Sequence, residues 1–125
     1  MTVERPSGLE IFTKLGHLVR IKYEFLNGQQ SDGKMYKALT ENVYLPFSVN
    51  GINICRMLKL AFQRKLLFTI NSDGAIVYNG IDPRSSSYAM TEIECTRVTK
   101  QLKDKGITMA DIDTNDNFEG TVTVN

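Results

Sequence analysis

A chain of 125 residues suits one domain with its own core. Apolar residues make up 42% and charged residues 23%, as in ordinary globular proteins. The fifteen basic and fourteen acidic residues leave a net charge of +1. That balance gives no bulk attraction to nucleic acid or an anionic membrane. No segment approaches the roughly 18 consecutive apolar residues of a membrane helix, so no membrane role is expected. Met1 to Glu10 has no apolar run of the signal-peptide kind.

Residues 1–8 read as frayed. From Leu18 to Phe25, apolar Val19, Ile21, Tyr23 and Phe25 alternate with polar Arg20, Lys22 and Glu24. Period two predicts a strand with one buried face. Asn27-Gly28 ends it as a turn dipeptide, and residues 27–34 read as a loop. Val43-Tyr44-Leu45 is a short apolar run closed by Pro46, which has no N–H to donate to a central strand. Asn50 offers a helix cap, and Ile54, Leu58, Ala61 and Phe62 follow at helical spacing. A helix over 51–65 is expected, with Arg56, Lys59 and Gln63 outermost.

Leu66 to Ile70 and Ala75 to Asn79 read as a hairpin joined through Asn71-Ser72-Asp73-Gly74. Residues 80–89 form a loop. Thr91 and Glu94 have capping-box spacing, and Cys95, Val98 and Leu102 continue an apolar stripe. Gly106 supplies a left-handed stop, and Ile107 folds back on the last turn. Residues 108–112 read as one further turn, 111–119 as an acidic loop or tail, and Gly120 to Val124 as a candidate edge strand. Strands and helices without βαβ alternation give an α+β class with a mostly antiparallel sheet.

Few residues carry an obvious chemistry by themselves. Cys55 and Cys95 lack zinc-ligand spacing and lie on the apolar helix stripes, so both are expected as packed, reduced thiols. The single histidine, His17, falls in no motif and reads as a solvated or strand-edge residue. Asp111, Asp113 and Asp116 lack the glycine and terminal glutamate of a calcium loop. No metal site and no cofactor are therefore expected. With no secretion signal, the expected compartment is the cytoplasm or nucleus.

The order of elements then meets specific residues. Gly33-Lys34-x-Tyr36 precedes Tyr44-Leu45-Pro46; Gly51 follows, then Leu58-Lys59-Leu60-Ala61-Phe62 and Leu66-Leu67-Phe68-Thr69. After the hairpin come Tyr78-Asn79-Gly80-Ile81, and the last helix closes on Leu102-x-x-x-Gly106-Ile107. Together these resemble the Deltex C-terminal domain over residues 8–112, with residues 1–7 and 113–125 as flexible or edge segments. The resemblance implies a curved, mostly antiparallel sheet packed with two main helices and a shallow cleft. It also implies a link to ubiquitin ligases of the Notch-signalling and DNA-damage kind. In that family the domain follows a RING and binds the ADP-ribose part of NAD or of ADP-ribosylated substrates.

Several family positions are changed. Asp82 stands where the family has the first histidine of its cleft motif, and an ionised aspartate only accepts hydrogen bonds. Gln101 stands at the family glutamate and cannot take a proton as a general base. Glu41 falls near a family arginine, Tyr78 takes the place of a tryptophan and reads as core, and the hairpin loop is short, leaving Ser72 as its one hydroxyl. A RING needs about eight Cys/His ligands for its two zinc ions. The chain offers only Cys55, Cys95 and His17, so a RING would be supplied elsewhere.

The expected ligand-binding residues are Ser72, Asp82, Arg84, Ser85, Ser87, Tyr88 and Gln101, with no catalytic residue among them. Arg84 can grip a phosphate bidentately, the serines can donate, and Tyr88 can stack on a base. Three functions remain open: a non-catalytic module for ADP-ribose, NAD or an ADP-ribosylated protein; a protein–protein interaction domain that has lost that ligand; or the substrate-recruiting part of a RING ubiquitin ligase. The expected partners are ADP-ribosylated or ubiquitin-pathway proteins.

Overall fold

The computed structural model describes residues 7–14, 18–25, 28–29, 35–36, 38–85, 89–115 and 117–124. Strands β1 (Ser7–Lys14), β2 (Leu18–Phe25), β3 (Gly28–Gln29), β4 (Met35–Tyr36) and β5 (Leu39–Pro46) come first. Helix α1 (Val49–Gln63), the hairpin β6 (Phe68–Ile70) and β7 (Ile76–Tyr78), helix α2 (Glu92–Asp104), a 3-10 turn (Met109–Asp111) and β8 (Gly120–Val124) follow. This is an α+β domain. Among the described residues no helix is long and apolar enough to cross a membrane.

The main sheet is antiparallel in the order β5-β2-β1-β8. Its register explains its buried face. Leu9 lies opposite Tyr23 and Ile11 opposite Ile21; across the other edge Ile21 faces Val43 and Val19 faces Leu45. These apolar side chains fall on one face and are all buried. Helix α1 packs there through Ile54, Leu58, Ala61 and Phe62. Tyr23 and Phe25 meet Phe62 and Phe68 at ring separations of 4.9 to 6.0 Å, mostly edge to face.

The alternation in β2 runs over the predicted residues, and β5 ends at Pro46. Two expectations need correction here. Ser7 and Gly8 are strand, not frayed chain, because β2 and β8 flank β1 on both sides. Gly28 and Gln29 are not loop but pair with Tyr36 and Met35. The edge strand at Gly120–Val124 is present against β1, and Glu119 accepts from the Thr13 N–H at 3.1 Å just before it. His17 and Asp116 lie outside the described residues.

Helix α1 starts two residues earlier than 51. Ser48 is the cap, with extended backbone and a hydroxyl that accepts from the Gly51 N–H at 3.1 Å. Asn50, the expected cap, is already inside the first turn. Gly51 has to be glycine, since a side chain there would run into the Pro46 carbonyl. That close approach seats the helix against the end of β5.

Both helices end in the same motif with different residues. In α2 the Ile107 N–H donates to the Leu102 carbonyl and the Gly106 N–H to Lys103, with Gly106 at φ 83°. In α1 the Leu66 N–H donates to Ala61 and the Lys65 N–H to Phe62. There the left-handed position is held by Lys65 at φ 59°. The α2 stop and the fold-back of Ile107, which is buried, follow the sequence expectation. So does the Thr91–Glu94 capping box, where each partner's N–H meets the other's side-chain oxygen. Cys55 and Cys95 are buried free thiols, and burial pushes Cys55 up to about 12.

Candidate functional site

Beyond the end of the core, the buried face of β5, the β6–β7 hairpin and the start of α2's supporting loop leave a cleft of about 360 Å3. Leu39 and Glu41 come from β5, Phe68, Ile76 and Tyr78 from the hairpin, Ile81, Asp82 and Arg84 from the loop, and Gln101 from α2. The volume falls within the range of small-molecule pockets. A smaller cavity of about 140 Å3 lies between α1 and the C-terminal segment, where Arg56 and Lys59 face Asp111 and Asp113.

The loop that carries Asp82 and Arg84 is held by three residues of α2. Gln101 Oε1 accepts from the Asp82 N–H at 2.8 Å. Arg97 donates to the carbonyls of Asp82 and Arg84 at 2.8 and 3.0 Å. Ser85 Oγ donates to Glu94 Oε1 at 2.7 Å, which ties the loop to the capping box of α2. The α2 N-terminus therefore fixes the cleft wall as well as its own first turn.

Arg84 and Asp82 form a bidentate pair, Nε to Oδ1 and Nη2 to Oδ2, both 2.8 Å. The backbone N–H of Arg84 adds a third bond to Oδ1 at 3.1 Å. These bonds from Arg84 hold the Asp82 carboxyl below the usual range, and the same pairing raises the guanidinium. The Arg84 guanidinium carbon lies 5.6 Å from the centre of the Tyr78 ring. The other partner of that ring is Phe68, stacked at 4.6 Å. Tyr78 is thus layered between an apolar ring and a cation.

The Tyr78 hydroxyl is shielded from solvent and has no hydrogen-bond partner among the described residues. Burial raises its pKa, and the charges of Glu41 and Asp82 add to the effect. The Tyr23 hydroxyl is likewise buried and unpartnered, and Tyr23 lies opposite Glu41 in the β2–β5 register. Of these three residues, Tyr78 and Glu41 line the cleft and Tyr23 belongs to the buried core.

The expected site residues divide clearly. Asp82, Arg84 and Gln101 line one cleft. Ser72 sits in the hairpin turn and does not line it. Ser85 serves the loop's own anchorage, with its hydroxyl between Glu94 and the Ala89 carbonyl. Ser87 and Tyr88 lie outside the described residues. Sequence reasoning named Glu41 only as standing near a family arginine and not as a binding residue, left out Arg97, and assigned Tyr78 to the core. A signal for Glu41 was present: it shares the parity of Val43 and Leu45 and so falls on the buried face of β5. An acid on an apolar stripe marks the point where the core opens into a cleft. Arg97, on the exposed face of α2, carries no such mark.

Gln101 occupies its carbonyl oxygen on a backbone amide, and the Asp82 carboxylate is bound by Arg84. The arrangement can therefore bind, stack and exchange an ion pair. The comparison with protein families agrees with the order of these elements. The model of the Deltex C-terminal domain matches residues 1–107, most of the chain. The chain belongs to the Deltex C-terminal domain family.

Proposed function

We propose that this domain is a non-catalytic binding module whose cleft takes an ADP-ribose-type ligand, either free, as part of NAD, or attached to a protein. The observation that carries this reading is the meeting of Tyr78, Arg84, Asp82 and Gln101 in one cleft. An aromatic face suits a base or sugar, and a guanidinium suits a phosphate. Binding rather than catalysis follows from Gln101, whose amide cannot accept a proton as a carboxylate would. Attachment to a ubiquitin-ligase pathway, with a RING supplied by another chain or segment, is the setting that family membership suggests.

In this reading Arg84 exchanges partners: it leaves Asp82 and takes a phosphate oxygen. Arg84→Ala is expected to weaken ADP-ribose binding by about 1.5–3 kcal/mol, the range of a charge-assisted hydrogen bond. Titration calorimetry on both proteins measures it, and an unchanged affinity would remove Arg84 from the site. A second reading, a protein-interaction domain without this ligand, draws on the closed Asp82–Arg84 pair, which already satisfies the guanidinium. Absence of any ADP-ribose binding would favour it.

A further inference from the structure

The smaller cavity, of about 140 Å3 between α1 and the C-terminal segment, has no part in the nucleotide reading. One wall is the outer face of α1, with Arg56 and Lys59 one turn apart and Gln63 beyond them. The other wall comes from residues 111–118, which lie outside the residues that match the family model. That second wall is fixed at both ends. On one side Ile107 is buried and the Thr108 N–H donates to Asp111 Oδ2 at 2.8 Å. On the other, Glu119 accepts from the Thr13 N–H and β8 pairs with β1. A ligand therefore has no segment to order before it binds.

Charge is unevenly placed in this cavity. Arg56 and Lys59 are half-buried, whereas Asp111 and Asp113 are exposed. Both acids are bound to their own turns, Asp111 at Thr108 and Asp113 through the Asn115 N–H at 2.9 Å, and solvent and salt screen them. Arg56 donates to the neutral amide oxygen of Asn53 at 3.0 Å, and Lys59 makes no ion pair among the described residues. The α1 wall is therefore positive where a charge is felt most. The Arg56 guanidinium carbon also lies 5.9 Å from the centre of the Phe118 ring, and Phe118 meets Phe47, itself 48% exposed, at 6.5 Å. An aromatic pair at the surface beside an arginine has the makeup of a protein-docking centre. The volume is below the roughly 300 Å3 of small-molecule sites, so it suits one side chain of a larger partner. We propose that this cavity and the Phe47–Phe118 pair form a docking site for an acidic segment of another protein. One carboxylate enters between Arg56 and Lys59, and a neighbouring apolar side chain covers the aromatic pair.

The test is fluorescence anisotropy of the full chain with a labelled peptide of aspartates and glycines around one phenylalanine, joined to amide shifts from nuclear magnetic resonance. The acidic peptide is expected to bind, and a version with lysines in place of the aspartates is not. Replacing its phenylalanine by alanine should weaken it. The shifts are expected on the outer face of α1 and on residues 111–118. Lys59→Glu should weaken binding about tenfold, because it turns attraction by a half-buried charge into repulsion. Lys100→Glu, the same reversal on the exposed face of α2, should leave binding unchanged. Melting temperatures report whether both variants keep the fold. Absence of binding, equal binding of the acidic and basic peptides, an equal loss in both variants, or shifts confined to the larger cleft each overturns the proposal.

Discussion

The Tyr23 hydroxyl offers a clean test of the packing described above. The residue is 0% exposed, lies in the central strand β2, and its oxygen has no hydrogen-bond partner among the described residues. Leaving a buried hydroxyl unbonded costs about 1–3 kcal/mol. Tyr23→Phe removes that oxygen and keeps the ring contacts with Phe62 and Phe68, at 5.5 and 5.1 Å. A small void where the oxygen stood offsets part of the gain. The expected net effect is a stabilisation of about 1 kcal/mol, or roughly 4 °C in melting temperature for a domain of this length. Urea unfolding followed by fluorescence or circular dichroism gives the first number, and a thermal scan the second. Absorbance titration adds a check, since burial holds Tyr23 protonated well above the usual tyrosine range. A loss of stability of about 1 kcal/mol or more would refute the reasoning, because it requires a bonded hydroxyl, through a buried water for instance.

Two further outcomes follow from the geometry. Lys65→Gly should stabilise the domain by about 1 kcal/mol, since a left-handed conformation costs a side-chain-bearing residue that much; a lower urea midpoint would contradict the assignment. The pH dependence concerns Asp82, whose folded pKa lies below its ordinary 3.8 because of Arg84. Its contribution is therefore full above that ordinary value and disappears as pH falls through the folded value. Because the pair is partly exposed, the contribution is below about 1 kcal/mol. The stability gap between the wild type and Asp82→Asn should narrow below pH of about 4, and a gap that instead widens would reverse the sign.

The elements most legible in the sequence are those whose local pattern and tertiary place agree. Strand β2 is flanked on both sides and buries one face, so its alternation is complete. Helix α2 carries its own stop and start in Gly106 and the Thr91–Glu94 box. Strand β1 escaped notice because Ser7, Gly8 and Glu10 weaken its pattern, and its strand character comes from the neighbours on either side. The start of α1 was displaced because Ser48 and Asn50 are both good caps, and the choice depends on how Gly51 seats against Pro46. In the cleft, Asp82, Arg84 and Gln101 were found through family position. Their mutual bonds were not, because a pairing between residues nineteen apart depends on where α2 docks. Tyr78 looked like core because it does stack on Phe68, and only the structure places its other side against Arg84.

The central claim is that the cleft still takes an ADP-ribose-type ligand despite Asp82 and Gln101. Titration calorimetry of the purified chain with ADP-ribose, at moderate salt, addresses it directly. The account predicts saturable binding at micromolar strength, lost when Arg84 is replaced by alanine. No detectable heat up to millimolar ligand, from protein shown to be folded, would contradict it and leave a family fold that has given up its nucleotide.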